Sequence, residues 1–123
     1  MHLDDLLASL NDASSDPVVA RLCKYIGAWK ADQATTAELR ELVERYIGNT
    51  WIEREGDHKV VYKLWSKFRD EAIDALPEMT MNERLSAFSL FERYDTTSDE
   101  AAKATVLKKL RTPEEIRTWS SGQ

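Results

Sequence analysis

The sequence predicts an all-α fold: one compact helical bundle over residues 1–123, with about five main helices and one or two short ones. Three observations predict it. Thr followed three residues later by Glu occurs at Thr35/Glu38, Thr50/Glu53, Thr80/Glu83, Thr97/Glu100 and Thr112/Glu115. This is the capping box, in which hydroxyl and carboxylate satisfy each other's backbone donors at a helix start. Apolar residues recur at spacings of three and four, the period of one helix face. No run alternates with period two between turn signals, so no strand is expected. The boxes are irregularly spaced and the stretches between them differ, which argues against a solenoid repeat.

The elements follow in order. Leu3, Leu6, Leu7 and Leu10 share one side of a short helix over 3–10, and Asn11–Asp16 reads as a turn-rich linker. Asp4, Asp5, Asp12 and Asp16 make residues 1–16 acidic, and the segment is expected to be loosely docked, as termini often are. Asp16-Pro17 opens the next helix, with Asp as cap and Pro at the first helical position. Its buried face is Val18, Val19, Leu22, Ile26 and Trp29. Gly27 inside it marks either a close helix crossing or a weak point. From Thr35, the residues Leu39, Leu42, Val43, Tyr46 and Ile47 give a third helix, and Gly48-Asn49 suits a left-handed C-cap.

Asp57–Leu76 reads as the central helix, with Asp57 as N-cap and Pro77 as terminator. Val61, Leu64, Trp65, Phe68, Ala72 and Leu76 form its core face, which Val60, Tyr62 and Ile73 widen. So broad an apolar arc calls for several neighbours, a second copy or a partner to cover it. Its polar strip holds Lys59, Lys63, Lys67, Asp70 and Asp74, with Lys67 placed to pair with Asp70 or Glu71. Thr80 then opens a largely buried helix to about Tyr94. Asp95–Ser98 is a polar turn. A helix over Ala101–Arg111 turns Val106, Leu107 and Leu110 inward, and Thr112 caps a last helix ending near Trp119.

Composition narrows the function classes. The net charge of −5 disfavours general nucleic-acid binding, which relies on excess positive charge. One cysteine, Cys23, excludes an intramolecular disulfide, and its apolar surroundings predict a buried, inert thiol. No stretch is long enough to span a membrane, and the start Met-His-Leu-Asp-Asp lacks a basic n-region and apolar run. Cytoplasmic residence is the resulting expectation.

Three features are candidates for function. Glu53-Arg54-Glu55-Gly56-Asp57-His58 is the densest ionisable cluster, and carboxylates beside a histidine suit acid–base or metal chemistry. Its spacing matches no zinc or calcium motif, and a solvated connector accounts for it equally. Lys103, Lys108, Lys109 and Arg111 form a basic cluster, but the helix after it begins with Glu114 and Glu115, which face phosphates badly. The aromatic load is the third feature. Trp29 and Trp65 suit a core, whereas Trp51, Tyr62 and Trp119 lie at element edges and suit a recognition surface.

No catalytic constellation and no cofactor motif is found. The reading is a small non-enzymatic module that binds another protein, as an adaptor, inhibitor or immunity-type factor. Its expected contacts are Trp51, Tyr62, Trp119 and the acidic pair Asp4 and Asp5. The alternatives are a hydrolase or metal enzyme centred on the connector from Glu53 to His58, a nucleic-acid-linked regulator using the cluster from Lys103 to Arg111, and a homodimer joined along the central helix.

Overall fold

Helix starts are where side-chain chemistry places them. The Thr35 and Thr80 hydroxyls accept from the Glu38 and Glu83 amides at 3.3 and 3.2 Å, and the Glu side chains accept the returning Thr amides. Thr112 and Glu115 form the same reciprocal pair. Asp16 caps with its carboxylate, taking the Val18 amide at 2.9 Å with Pro17 at the first helical position. Thr97 does not cap as expected. Asp99 lies two residues closer to the helix, takes the Ala101 amide at 2.9 Å, and leaves the Thr97 hydroxyl to accept from Asp99 itself. The shorter acid wins because its carboxylate also carries charge toward the positive end of the helix dipole.

The computed structural model describes residues 1–50, 52 and 55–121, with backbone alone for 55 and 119–121. It is 79% helical, with no strand among the described residues, which makes the fold all-α. The helices are α1 (Leu3–Ala13), α2 (Pro17–Ala31), α3 (Thr36–Asn49), α4 (Glu55–Phe68), α5 (Met81–Ala87), α6 (Phe91–Thr96), α7 (Glu100–Lys109) and α8 (Pro113–Ser121). Glu53, the second half of the Thr50 box, lies outside the described residues. Thr50 itself turns back, its hydroxyl donating to the Tyr46 carbonyl at 2.7 Å as α3 ends. No glycine has positive φ, so the left-handed cap expected at Gly48-Asn49 is absent; the Asn49 amide nitrogen donates to the Arg45 carbonyl at 2.8 Å in its place.

The central helix begins earlier and ends sooner than its sequence suggests. Gly56 and Asp57 lie inside α4, and Asp57 accepts the Ser14 hydroxyl at 2.8 Å instead of capping its own helix. After Phe68 the chain opens into one π-turn, Arg69–Ile73, and closes as a 3-10 turn, Leu76–Glu78, that contains Pro77. The expected Lys67 pairing gives way to Arg69, which takes Asp70 at 3.0 Å and Glu44 of α3 at 2.9 Å. Val61, Trp65, Phe68 and Ala72 are buried as the spacing predicts, but Val60 and Tyr62 stay 45% and 47% exposed. The apolar arc is therefore covered only in part.

What covers it is α1. Leu3, Leu6 and Leu10 are fully buried, the Asp4 amide donates to Ser89 Oγ, and the Asp4 carboxylate pairs with Lys30 of α2 at 2.8 Å. The expected loose N-terminal segment is instead a helix with its apolar face in the core, because three leucines at helical spacing outweigh the charge on the opposite face. The core contains a continuous run of aromatic rings. Trp29 lies 5.6 Å from Phe88, Phe88 5.5 Å edge-on from Phe68, and Phe68 6.2 Å from Trp65.

The helix expected from Thr80 to Tyr94 breaks. Ser89 takes φ 54°, separating α5 from α6, and both Phe88 and Leu90 are fully buried. In an unbroken helix they would point about 200° apart and could not share one core. Phe91, just past the break, is 44% exposed.

Gly27 permits no close crossing, because an added Cβ there would meet nothing within 4 Å. Gly27→Ala is therefore expected to raise stability by about 0.5–1 kcal/mol, read as a higher midpoint in urea with unchanged slope.

Candidate functional site

The sequence-predicted site residues do not come together. Trp51 lies outside the described residues, as does the Trp119 side chain. Asp4 and Asp5 are exposed, and both are engaged: Asp4 with Lys30, and Asp5 by accepting the His2 amide at 2.9 Å. Neither lines the hollow beside Tyr62. The ionisable connector diverges as well. Glu53 and Arg54 lie outside the described residues, Asp57 points to Ser14, and His58 lines the Tyr62 hollow. Among the described residues no group of three or more His, Cys, Asp or Glu converges as a metal site would require.

Tyr62 is the one candidate whose surroundings form a definite shape. It borders a hollow of about 420 Å³ between α3 and α4, with Glu44, Ile47, Thr50, His58 and Arg69. The Arg69 guanidinium holds both sides together: its pKa is raised above the ordinary arginine value by hydrogen bonds from Glu44, then Tyr62, then Asp70. Tyr62 is thus an exposed ring on a rigid helix with its position fixed by a neighbour.

The basic cluster is not one surface. Lys109 is buried, its ammonium donating at 2.8 Å to the Asp32 carbonyl, the Asp32 carboxylate and the Ala34 carbonyl, 4.1 Å from the Trp29 ring centre. Lys103 lies over the Tyr94 ring at 5.6 Å, while Lys108 is exposed. Cys23 is half-buried, with Sγ 3.9 Å from the Leu7 carbonyl, and burial pushes its thiol pKa up, away from the reactive thiolate.

Sequence reasoning missed a buried cation on α5. Arg84 is 5% exposed; it holds Glu115 bidentately at 2.6 and 2.9 Å and donates to the Leu110 and Met79 carbonyls. It pins the corner between α7 and α8 to α5. The signal was present: Arg84 falls in phase with Met81, Leu85 and Phe88, so a charge sits on the apolar face. Arg84 also borders a larger hollow, about 890 Å³, between the 3-10 turn and α8.

No family model, curated protein or solved structure matches this chain.

Proposed function

We propose that the chain is a small non-enzymatic module that binds another protein, with Tyr62 as an anchor of the contact and the positions of Trp51 and Trp119 as further edges. The observation that supports it is Tyr62 itself: a large ring, 47% exposed, held by Arg69 beside an open hollow on a packed helix. Aromatic anchors fixed before binding lose little entropy on association and dominate interface energetics. The strongest ionic groups are meanwhile committed to holding helices together, as Arg84 and Lys109 are. Among the described residues no helix is long and apolar enough to cross a membrane. The reading carries cytoplasmic residence with it, as adaptor, inhibitor or immunity-type factor.

The test is affinity capture of the full chain from lysate, with nuclease present, beside Tyr62→Ala. The expected result is one near-stoichiometric protein whose recovery falls about tenfold or more in Tyr62→Ala, with the far-UV circular dichroism unchanged. Equal recovery by both chains would remove Tyr62 from the contact. A partner lost on nuclease treatment would favour a nucleic-acid-linked role.

A further inference from the structure

The hollow between the 3-10 turn and α8 shares no lining residue with the Tyr62 hollow. Its apolar surface is Met79 and Met81, both half-buried, with Pro77 and Pro113 exposed at its borders. Unbranched thioethers adapt to irregular ligands and recur at surfaces that accept varied peptides. The helix on its far side is thinly seated. From Pro113 to Thr118 no residue of α8 is buried, and its hydrogen bonds to another helix, among the described residues, are those from Glu115 to Arg84.

The charge of this hollow runs against that of the molecule. The chain carries 17 basic and 22 acidic residues, yet the hollow is lined by Arg84, Arg111 and Arg117 against Glu114 and Glu115. Arg84 and Glu115 neutralise each other in their bidentate pair. What remains is a thioether floor with a positively biased rim on an acidic protein, a combination that selects an acidic ligand and repels a basic one by less than it attracts only if the rim arginines are removed.

We propose that this hollow docks an extended acidic peptide segment of a protein partner, its apolar side chains on Met79 and Met81 and its carboxylates toward Arg111 and Arg117. The inference rests on reading the chain as a binding protein, but it names a different surface from Tyr62.

The chain's three methionines make the test direct, because two of them line the hollow. The full chain, labelled at the methionine methyl groups, is titrated by NMR with two capped hexapeptides, one alternating glutamate and leucine, the other alternating lysine and leucine. The acidic peptide is expected to shift the Met79 and Met81 signals saturably while the Met1 signal stays still. Arg117→Glu should weaken that binding about tenfold or more, and Tyr62→Ala should leave it unchanged. No saturable shift at millimolar peptide, an equal response to the lysine peptide, or an unaltered response in Arg117→Glu would each overturn the proposal. If the peptide fails while capture through Tyr62 succeeds, this hollow is excluded and the binding reading stands. If the peptide binds and Tyr62→Ala captures normally, the Tyr62 contact is excluded and the hollow stands.

Discussion

Arg84→Ala is expected to destabilise the fold by roughly 3–5 kcal/mol, toward the lower end because Glu115 is 36% exposed on its side chain. The guanidinium satisfies two main-chain carbonyls, Met79 and Leu110, and both oxygens of one carboxylate. Removing it strands those acceptors and detaches α8 from its fixed point on α5. For a domain of this size the melting temperature should fall by roughly 10–20 °C. A loss below about 1 kcal/mol would mean that the acceptors find water without cost and that the pair is not structural. Arg84→Met keeps much of the stem and isolates the ionic part.

The same variant carries a pH signature. Glu115 is held at a pKa of about 2, down from 4.5, chiefly by the hydrogen bond from Arg84. A carboxyl whose pKa is lowered on folding binds fewer protons in the native state, so it stabilises above 4.5 and loses that contribution as the pH falls toward about 2. Arg84→Ala removes the cause of the shift. The gap in melting temperature between the two proteins should therefore narrow on acidification. It should not close, because Arg84 still holds the two carbonyls when Glu115 is protonated. A gap that stays constant from neutral pH to about pH 2 would sink the assignment.

Local chemistry was legible, and long-range consequences were not. Thr35, Thr80 and Thr112 cap as written because a capping box needs only its own four residues. Thr97 failed because Asp99, a stronger cap, was nearer the helix. The break at Ser89 follows from Phe88 and Leu90 both entering one core, a condition set by α1, α2 and α4 and not by residues 88–90 alone. Asp57 looked like a cap until Ser14, 43 positions away, claimed its carboxylate. The functional reading met the same limit. Tyr62 could be placed at an edge from its phase on α4, but the Arg69 contact that fixes its ring depends on the π-turn. Arg84 and Lys109 were visible as charges in apolar phase, and such phase conflicts in a helix are better read as buried caps and clamps than as solvated basic patches.

Lys109→Ala tests that lesson, with an expected cost of about 2–4 kcal/mol. The side chain is 1% exposed, and its three donors go to three oxygens around the end of α2. That end carries the negative pole of the helix dipole, and a second cation serves it, with Arg93 donating to the Lys30 carbonyl. Truncation would remove the charge, the stacking over Trp29 and the stem volume together. Lys109→Met should cost less, since the stem survives and the Asp32 side chain, 51% exposed, can return to water. Equal costs for Ala and Met would assign the whole effect to the ammonium, and a silent Lys109→Ala would refute the cap. Alkaline titration gives an independent check. Burial lowers the Lys109 pKa from 10.5, so between the lowered value and 10.5 the unfolded chain binds the extra proton and stability rises with pH. Wild type should therefore gain on Lys109→Met as the pH climbs through that window, because the native fold no longer has to bury a charge there. A constant difference between the two across the window would place the ammonium in water, and with it would remove the contact that joins α7 to the turn between α2 and α3.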